Sequence, residues 1–322
     1  MVADRLPSLF CVGAMRQNQF PYGGQAVMEG VMMRGLRQAT VAVRAPDGRI
    51  VFQDRPLNLA RRLLWARVPI LRGIQMLGDA LIIGIWALSF SANTAAGQED
   101  EQLSSAQLTG IIAVSLAMAI GLFFVLPLVL ASLVAHLGLS NLWREAVEGV
   151  LRLLIFVGYL LLMRRSRDLR RVFQYHGAEH KAVNAYEAGA PLTVAEVRPF
   201  SLIHPRCGTS FLLVVLLLSI ILFSFLSGLP FVFRLLSRIV FVPLIAGIGY
   251  EFLRLSAMHY HRAFVRRLVA PTLLMQKLTT EEPDDTMLEV SILALRRVLA
   301  ADGILLEEGA LPEEVAMEPA TV

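Results

Sequence analysis

The 322-residue chain is 56% hydrophobic and only 17% charged, against about a quarter charged in soluble domains, and its mean hydropathy is +0.60. The missing charge is gathered into long apolar runs, which excludes an ordinary water-soluble globule and makes lipid the solvent for much of the chain. The formal net charge is +4, and the positive charge is almost all arginine, since Lys181 and Lys277 are the only lysines; no interleaving of basic and aromatic residues points to nucleic acid.

Residues 1–19 have no sustained apolar core, so no signal peptide is expected and the segment reads as flexible. Cys11 and Cys207 are the only cysteines and lie in unlike surroundings, so no disulfide framework is expected. Residues 20–60 form a small β-containing module. Its first part, Gly23-Gly-Gln-Ala-Val-Met-Glu-Gly-Val-Met-Met-Arg-Gly35, suggests tight, irregular backbone because of its four glycines. Residues 40–44 and 49–53 alternate as strands around Ala-Pro-Asp-Gly, which supplies turn dihedrals and predicts a β-hairpin.

Residues 61–107 begin with a basic flank, Arg61, Arg62, Arg67 and Arg72, and continue into an apolar stretch over 74–92 that carries Gln75 and Asp79. A lone carboxylate in lipid costs several kcal/mol, about 2.5–3.5 on insertion scales, so this stretch is expected to be interfacial or re-entrant. Residues 108–163 hold two spans, 108–137 with Pro127 inside and 146–163 with Glu148 and Arg152 near its start. A polar segment over 164–209 opens with the basic block Arg164-Arg-Ser-Arg-Asp-Leu-Arg-Arg171. Residues 210–257 hold two more spans, 211–226 and 231–257. Residues 258–302 form a helical tail, with a helix start at Thr279-Thr-Glu-Glu-Pro-Asp-Asp285 and an amphipathic pattern through Leu288, Ile292, Leu295 and Leu299. Residues 303–322 read as acidic and disordered.

Retention of arginine on the cytoplasmic side is met by four spans with both termini cytoplasmic. The expected fold is therefore mainly α: a polytopic helical membrane bundle of about four spans, with a small cytoplasmic β-containing module and amphipathic cytoplasmic helices. The lipid bilayer is its expected partner, beside an unknown substrate or partner protein.

His176-Gly-Ala-Glu-His180 fits H-x-x-E-H. Histidines at i and i+4 leave one helix face together and can share a metal. Glu179 is placed to act as a general base. A catalytic zinc takes a third protein ligand, and Glu251 near the end of the last span is the expected one. Supporting or alternative ligands are His204 and Cys207 in His204-Pro-Arg-Cys207-Gly-Thr-Ser210, Glu187 two turns beyond His180, and Glu29 in the glycine-rich stretch. Cys207 could instead be a nucleophile with His204 as its base. Met28, Met32 and Met33 read as core.

The stretch from Gly23 to Gly35, Tyr175-His-Gly-Ala-Glu-His-Lys181, His204-Pro-Arg-Cys-Gly-Thr-Ser-Phe211 and Leu278-Thr-Thr-Glu-Glu-Pro-Asp-Asp285 together resemble the YqhQ family over roughly residues 20–300. The resemblance implies a bacterial inner-membrane protein of unknown function whose label is that of a metal-dependent enzyme. The expected activity is a hydrolase using zinc or another divalent metal at the cytoplasmic face. The alternative is a non-enzymatic scaffold or assembly factor whose polar motifs form a structural network.

Overall fold

The computed structural model describes residues 22–57, 68–96, 104–134, 141–226 and 228–304. The expectations for residues 1–19, for the tail beyond residue 304, and for Cys11, Arg61, Arg62 and Arg67 lie outside that set.

The chain is mainly helical, with one four-stranded antiparallel meander. Its strands are β1 (Gly23–Val27), β2 (Gly30–Arg34), β3 (Gln38–Arg44) and β4 (Ile50–Pro56). The Ala-Pro-Asp-Gly turn joins β3 to β4 as its composition predicts, with Gly48 at φ +86°. The glycine-rich stretch departs from expectation. It pairs in register as β1 and β2, from Gly23 opposite Arg34 to Val27 opposite Gly30. Val31 and Met33 point to one face and Met32 to the other. That period-2 alternation outweighs the irregular backbone its glycines suggest.

Helices cover both faces of the sheet. On one side lie α1 (Leu71–Ala96), through Ile83 and Ala87. On the other lie α5 (Arg167–Glu187) and α11 (Asp285–Ala301), through Tyr175, Ala178, Leu288, Leu295 and Leu299. Asp284 caps α11, accepting from the Met287 N–H at 2.9 Å, as the helix-start composition predicts.

The 74–92 stretch is the middle of one unbroken 26-residue helix, long and apolar enough to cross a membrane. It nonetheless rests on the sheet along one face. Ser91 Oγ donates to the Met28 carbonyl at 2.7 Å, and Arg34 pairs with Asp79 at 3.3 Å. The Asp79 carboxylate is thus tolerated through its partner. The other end of α1 joins the bundle, where a Cβ on Gly73 would stand 2.8 Å from the Gly247 Cα. Two backbones in contact require glycine at that crossing.

The apolar bundle continues with α2 (Ser105–Ile120), a π-helical turn (Gly121–Val125), α3 (Leu126–Val134) and α4 (Asn141–Met163). After α5 come a short α6 (Val194–Val197), α7 (Gly208–Ser224), α8 (Phe231–Val240), α9 (Val242–Met258) and α10 (Ala263–Thr279). Among the described residues, three helices can cross a membrane by length and composition: α1, residues 109–133 and residues 143–163. The segment expected as one span over 231–257 is instead a helix pair bent by 45°. With that pair taken as one, the count is four. The helix α7 is apolar but has only 17 residues. Bulky side chains such as Val114, Met118, Leu154 and Ile221 face outward from the bundle.

Candidate metal centre

The histidines sit mid-way along α5, which the sheet and α11 clamp from one side. His176 and His180 leave the same face, with ring centroids 4.4 Å apart. Their orientation is fixed from behind. His176 Nδ1 is 2.8 Å from the Thr279 carbonyl, and His180 Nδ1 is 2.5 Å from the Leu202 carbonyl. A carbonyl can only accept, so each Nδ1 carries a proton, and in the neutral ring the lone pair is then on Nε2. An imidazole whose far nitrogen donates to a carbonyl is the arrangement found behind metal-binding histidines.

Gly177 explains how Thr279 reaches His176. A Cβ there would stand 2.2 Å from the Glu281 carbonyl oxygen. The glycine that weakens the helix on paper is what lets the 279–285 segment lie against it. That segment is held further by Arg170 on Glu281 at 2.5 Å and by Lys181 on Glu282 at 2.5 Å. The Glu281 N–H also donates to the Phe173 carbonyl at 3.0 Å.

The third donor is Cys207. Its Sγ lies 3.2 Å from His176 Nε2, and one ligand atom from each of His176, His180 and Cys207 lies within 4.8 Å of the other two. Cys207 is the N-cap of α7, its sulfur 3.4 Å from the Thr209 N–H. His180 Nε2 is buried and without a hydrogen-bond partner. A tetrahedral zinc with bonds of about 2.0–2.3 Å sets its donors roughly 3.5 Å apart, and this cluster fits that spacing with small side-chain adjustments.

Glu179 faces the sheet side of the cluster and is buried. Its Oε1 accepts from the Gly24 N–H at 2.8 Å, and its Oε2 lies 3.6 Å from His180 Nε2. His204 lies beyond His180, with ring centroids 5.8 Å apart and planes tilted by 46°, and its main chain is held by both ends of the Gln276 amide at 2.9 and 2.8 Å. Burial holds the His204 imidazole below the ordinary histidine value, against a weaker opposing pull from the Glu179 charge. Glu187 lies 3.5 Å from His204 Nε2 and pairs with Arg206.

Two expected residues lie elsewhere. Glu251 receives both Nε and Nη2 of Arg72, with Nε to Oε1 at 2.5 Å, and Arg254 stands 3.9 Å away. Among the described residues the donor grouped with the two imidazoles is the Cys207 thiol, and the Glu251 carboxylate is not part of that group. Glu29 sits at the β1–β2 turn with φ 52°, and both its oxygens are 2.5 Å from Arg171. It fastens the turn to α5 one helical turn before the histidines. Sequence reasoning missed the three main-chain groups that pose the site, Gly24, Leu202 and Thr279. Only the Thr279-Thr-Glu-Glu motif hinted at one of them.

Residues 68–301 match the model of a family described as "Protein of unknown function (DUF1385)". The chain belongs to that family. The uncharacterized protein YqhQ of Bacillus subtilis (strain 168) is 32% identical to it over 297 residues, covering 88% of this chain and 93% of its own length. This bears out the resemblance that the motifs carry. No solved structure matches. The DUF1385 match takes in all three grouped donors and the whole bundle, and begins after the sheet that holds Glu179 from behind.

Proposed function

We propose that this DUF1385 protein is a membrane-associated metal-dependent hydrolase, with His176, His180 and Cys207 holding zinc or a similar divalent ion. One observation carries the reading: two imidazoles with Nδ1 tied to carbonyls turn their Nε2 atoms toward a thiol, all within 4.8 Å. Histidine nitrogen and cysteine sulfur are the donor set that suits zinc. A bound ion would act as a Lewis acid on a carbonyl or phosphoryl oxygen and favour ionisation of water at neutral pH.

The chain's own residues supply the rest. Glu179 takes a proton from the attacking water at Oε2 and passes it to the leaving group, while Gly24 holds its other oxygen still. The Thr279 and Leu202 carbonyls fix the tautomers of both imidazoles. Cys207 caps the start of apolar α7, which favours a peptide, amide or lipid substrate with an apolar part. We place the bundle in the bacterial inner membrane with the sheet, α5 and α11 cytoplasmic. Arg164, Arg165, Arg167, Arg170 and Arg171 follow α4, and Arg262, Arg266 and Arg267 follow α9, which supports that orientation.

Elemental analysis of the full-length protein in detergent tests the reading. Near-stoichiometric metal is expected in the wild type and in Glu179→Gln, and none in His180→Ala or Cys207→Ser. Equal metal content in all four proteins would sink it. The 3.2 Å contact between Cys207 Sγ and His176 Nε2 favours a second reading, a thiol nucleophile with His176 as base. That reading is favoured instead if metal-free protein is alkylated at Cys207 and loses hydrolysis in proportion.

A further inference from the structure

A second group of buried polar side chains lies inside the bundle, away from the histidines. Glu145, Glu148 and Arg152 from α4 meet Arg234 and Arg238 from α8. All five are buried, the most exposed at 4%. From Glu148 to the end of α4 at Met163, the helix rises roughly 22 Å at 1.5 Å per residue. The group therefore belongs to the opposite end of the bundle from α5 and its histidines.

Its construction starts with Pro127. A proline has no N–H and its ring clashes with the carbonyl four residues back, here Phe123. The π-helical turn over Gly121–Val125 absorbs that clash, and the freed Phe123 carbonyl accepts from Arg152 Nε at 3.1 Å. Arg152 also donates to Glu148 at 2.5 Å and to Ser219 Oγ at 3.3 Å. Arg238 takes both oxygens of Glu148 at 2.9 and 3.0 Å and Glu145 at 3.2 Å, with its guanidinium 3.9 Å over the Phe223 ring. Arg234 comes only within 4.0 Å of Glu145.

Two features point to a missing component. Three guanidiniums, permanently charged, face two carboxylates. One buried positive charge is thus uncompensated within the group of five. Independently, Arg234 Nε and Arg238 Nη1 are buried without a hydrogen-bond partner. An unpaired buried N–H on a charged group is expensive to keep. Glu145 Oε1 is also unpartnered, so Glu145 has capacity to spare toward Arg234 as well.

We propose that this arginine–glutamate group is an oxyanion site, occupied by a phosphate group that completes its charge. The planar guanidinium fork matches phosphate oxygens, and the bend between α8 and α9 is the kind of broken helix that carries ligand sites inside membrane bundles. The phosphate comes either free from solution or as the headgroup of an anionic lipid.

Thermal unfolding of the full-length protein tests this at constant ionic strength. One arm titrates inorganic phosphate against chloride in nonionic detergent. The other compares nanodiscs of phosphatidylglycerol with nanodiscs of phosphatidylcholine. The wild type is expected to gain roughly 3 °C or more in Tm in at least one arm. A gain with phosphate in detergent identifies the free ion, and a gain confined to phosphatidylglycerol identifies the headgroup. Arg234→Gln removes the excess charge and spares the Glu148 pairs, so its gain disappears. Glu145→Gln doubles the excess, so its gain exceeds that of the wild type. Because the two variants move the response in opposite directions, either one alone is decisive if the other does not fold. No gain for the wild type in either arm, an undiminished gain in Arg234→Gln, or a gain in Glu145→Gln no larger than the wild type's overturns the proposal.

Discussion

The two polar clusters are built from opposite halves of the hydrogen bond. Around α5, carbonyls consume the imidazole N–H groups, and what is left pointing inward is lone pairs, including the unpartnered Nε2 of His180. Between α4 and α8, three guanidiniums face two carboxylates, and what is left is N–H groups on Arg234 and Arg238 beside one oxygen of Glu145. A buried polar group is normally satisfied. The two proposals rest on that difference: lone pairs for a cation at the first cluster, a surplus of guanidinium N–H groups for an anion at the second.

That contrast breaks first if the two clusters fail to respond separately. In His180→Ala, divalent-metal affinity is expected to fall more than about 100-fold, read by competition with a chromogenic chelator, while the response to phosphate is kept. In Arg234→Gln the reverse holds. Loss of both responses in either variant would mean one shared fold defect rather than two sites.

The next effect is on stability. Glu148 is 2% exposed and takes Arg152 and Arg238 together. Glu148→Gln leaves buried guanidiniums uncompensated and is expected to cost about 3–5 kcal/mol, measured by denaturant unfolding in detergent. A cost under about 1 kcal/mol would show that water reaches this group. Gly177→Ala comes third. Its Cβ meets the Glu281 carbonyl, and overpacking of this kind costs about 1–3 kcal/mol. Pushing the 279–285 segment away also takes the Thr279 carbonyl from His176, so metal affinity is expected to drop about tenfold. An unchanged affinity would show that the carbonyl does not pose the ring.

The smallest effect is on pH. Burial depresses the folded-state pKa of His204 below its unfolded value of about 6.5. The unfolded chain therefore takes up the proton first. This stability is fully present above about 6.5 and is lost as the pH falls toward the lowered value, at no more than about 1.4 kcal/mol per pH unit. The slope of Tm against pH over that window should flatten in His204→Asn. An identical slope would assign it to other groups.

The local features of this chain were legible in its sequence, and the distant ones were not. The Ala-Pro-Asp-Gly hairpin, the Asp284 cap and the shared face of His176 and His180 all follow from spacing within one turn or one helix. The ion pair of Glu251 with Arg72 spans 179 positions, and no local pattern announces it, so the sequence alone offers Glu251 as a ligand. Cys207 reads as an alternative ligand, but what brings it to His176 is the packing of α7 on α10, whose last residue Thr279 also bonds His176. The charges at Glu148, Arg152, Arg234 and Arg238 read as the polar ends of separate spans. Only the fold shows that they meet, and that Pro127 frees a carbonyl for one of them. The glycine-rich stretch misled in the other direction, since its alternation of Val31, Met32 and Met33 was the stronger signal.

Gly24, Thr279 and Leu202 hold Glu179, His176 and His180 through peptide groups and not through side chains. Substitution at Thr279 or Leu202 leaves the holding carbonyl in place, so those identities are free to drift over evolutionary time as far as packing allows, whereas a Cβ on Gly24 would stand 2.1 Å from the Met32 carbonyl oxygen. Insertions and deletions are another matter. One residue added to β1 ahead of Gly24 would turn its N–H away from Glu179, because the strand alternates with every residue. In this architecture, the spacing of the chain is more constrained than its spelling.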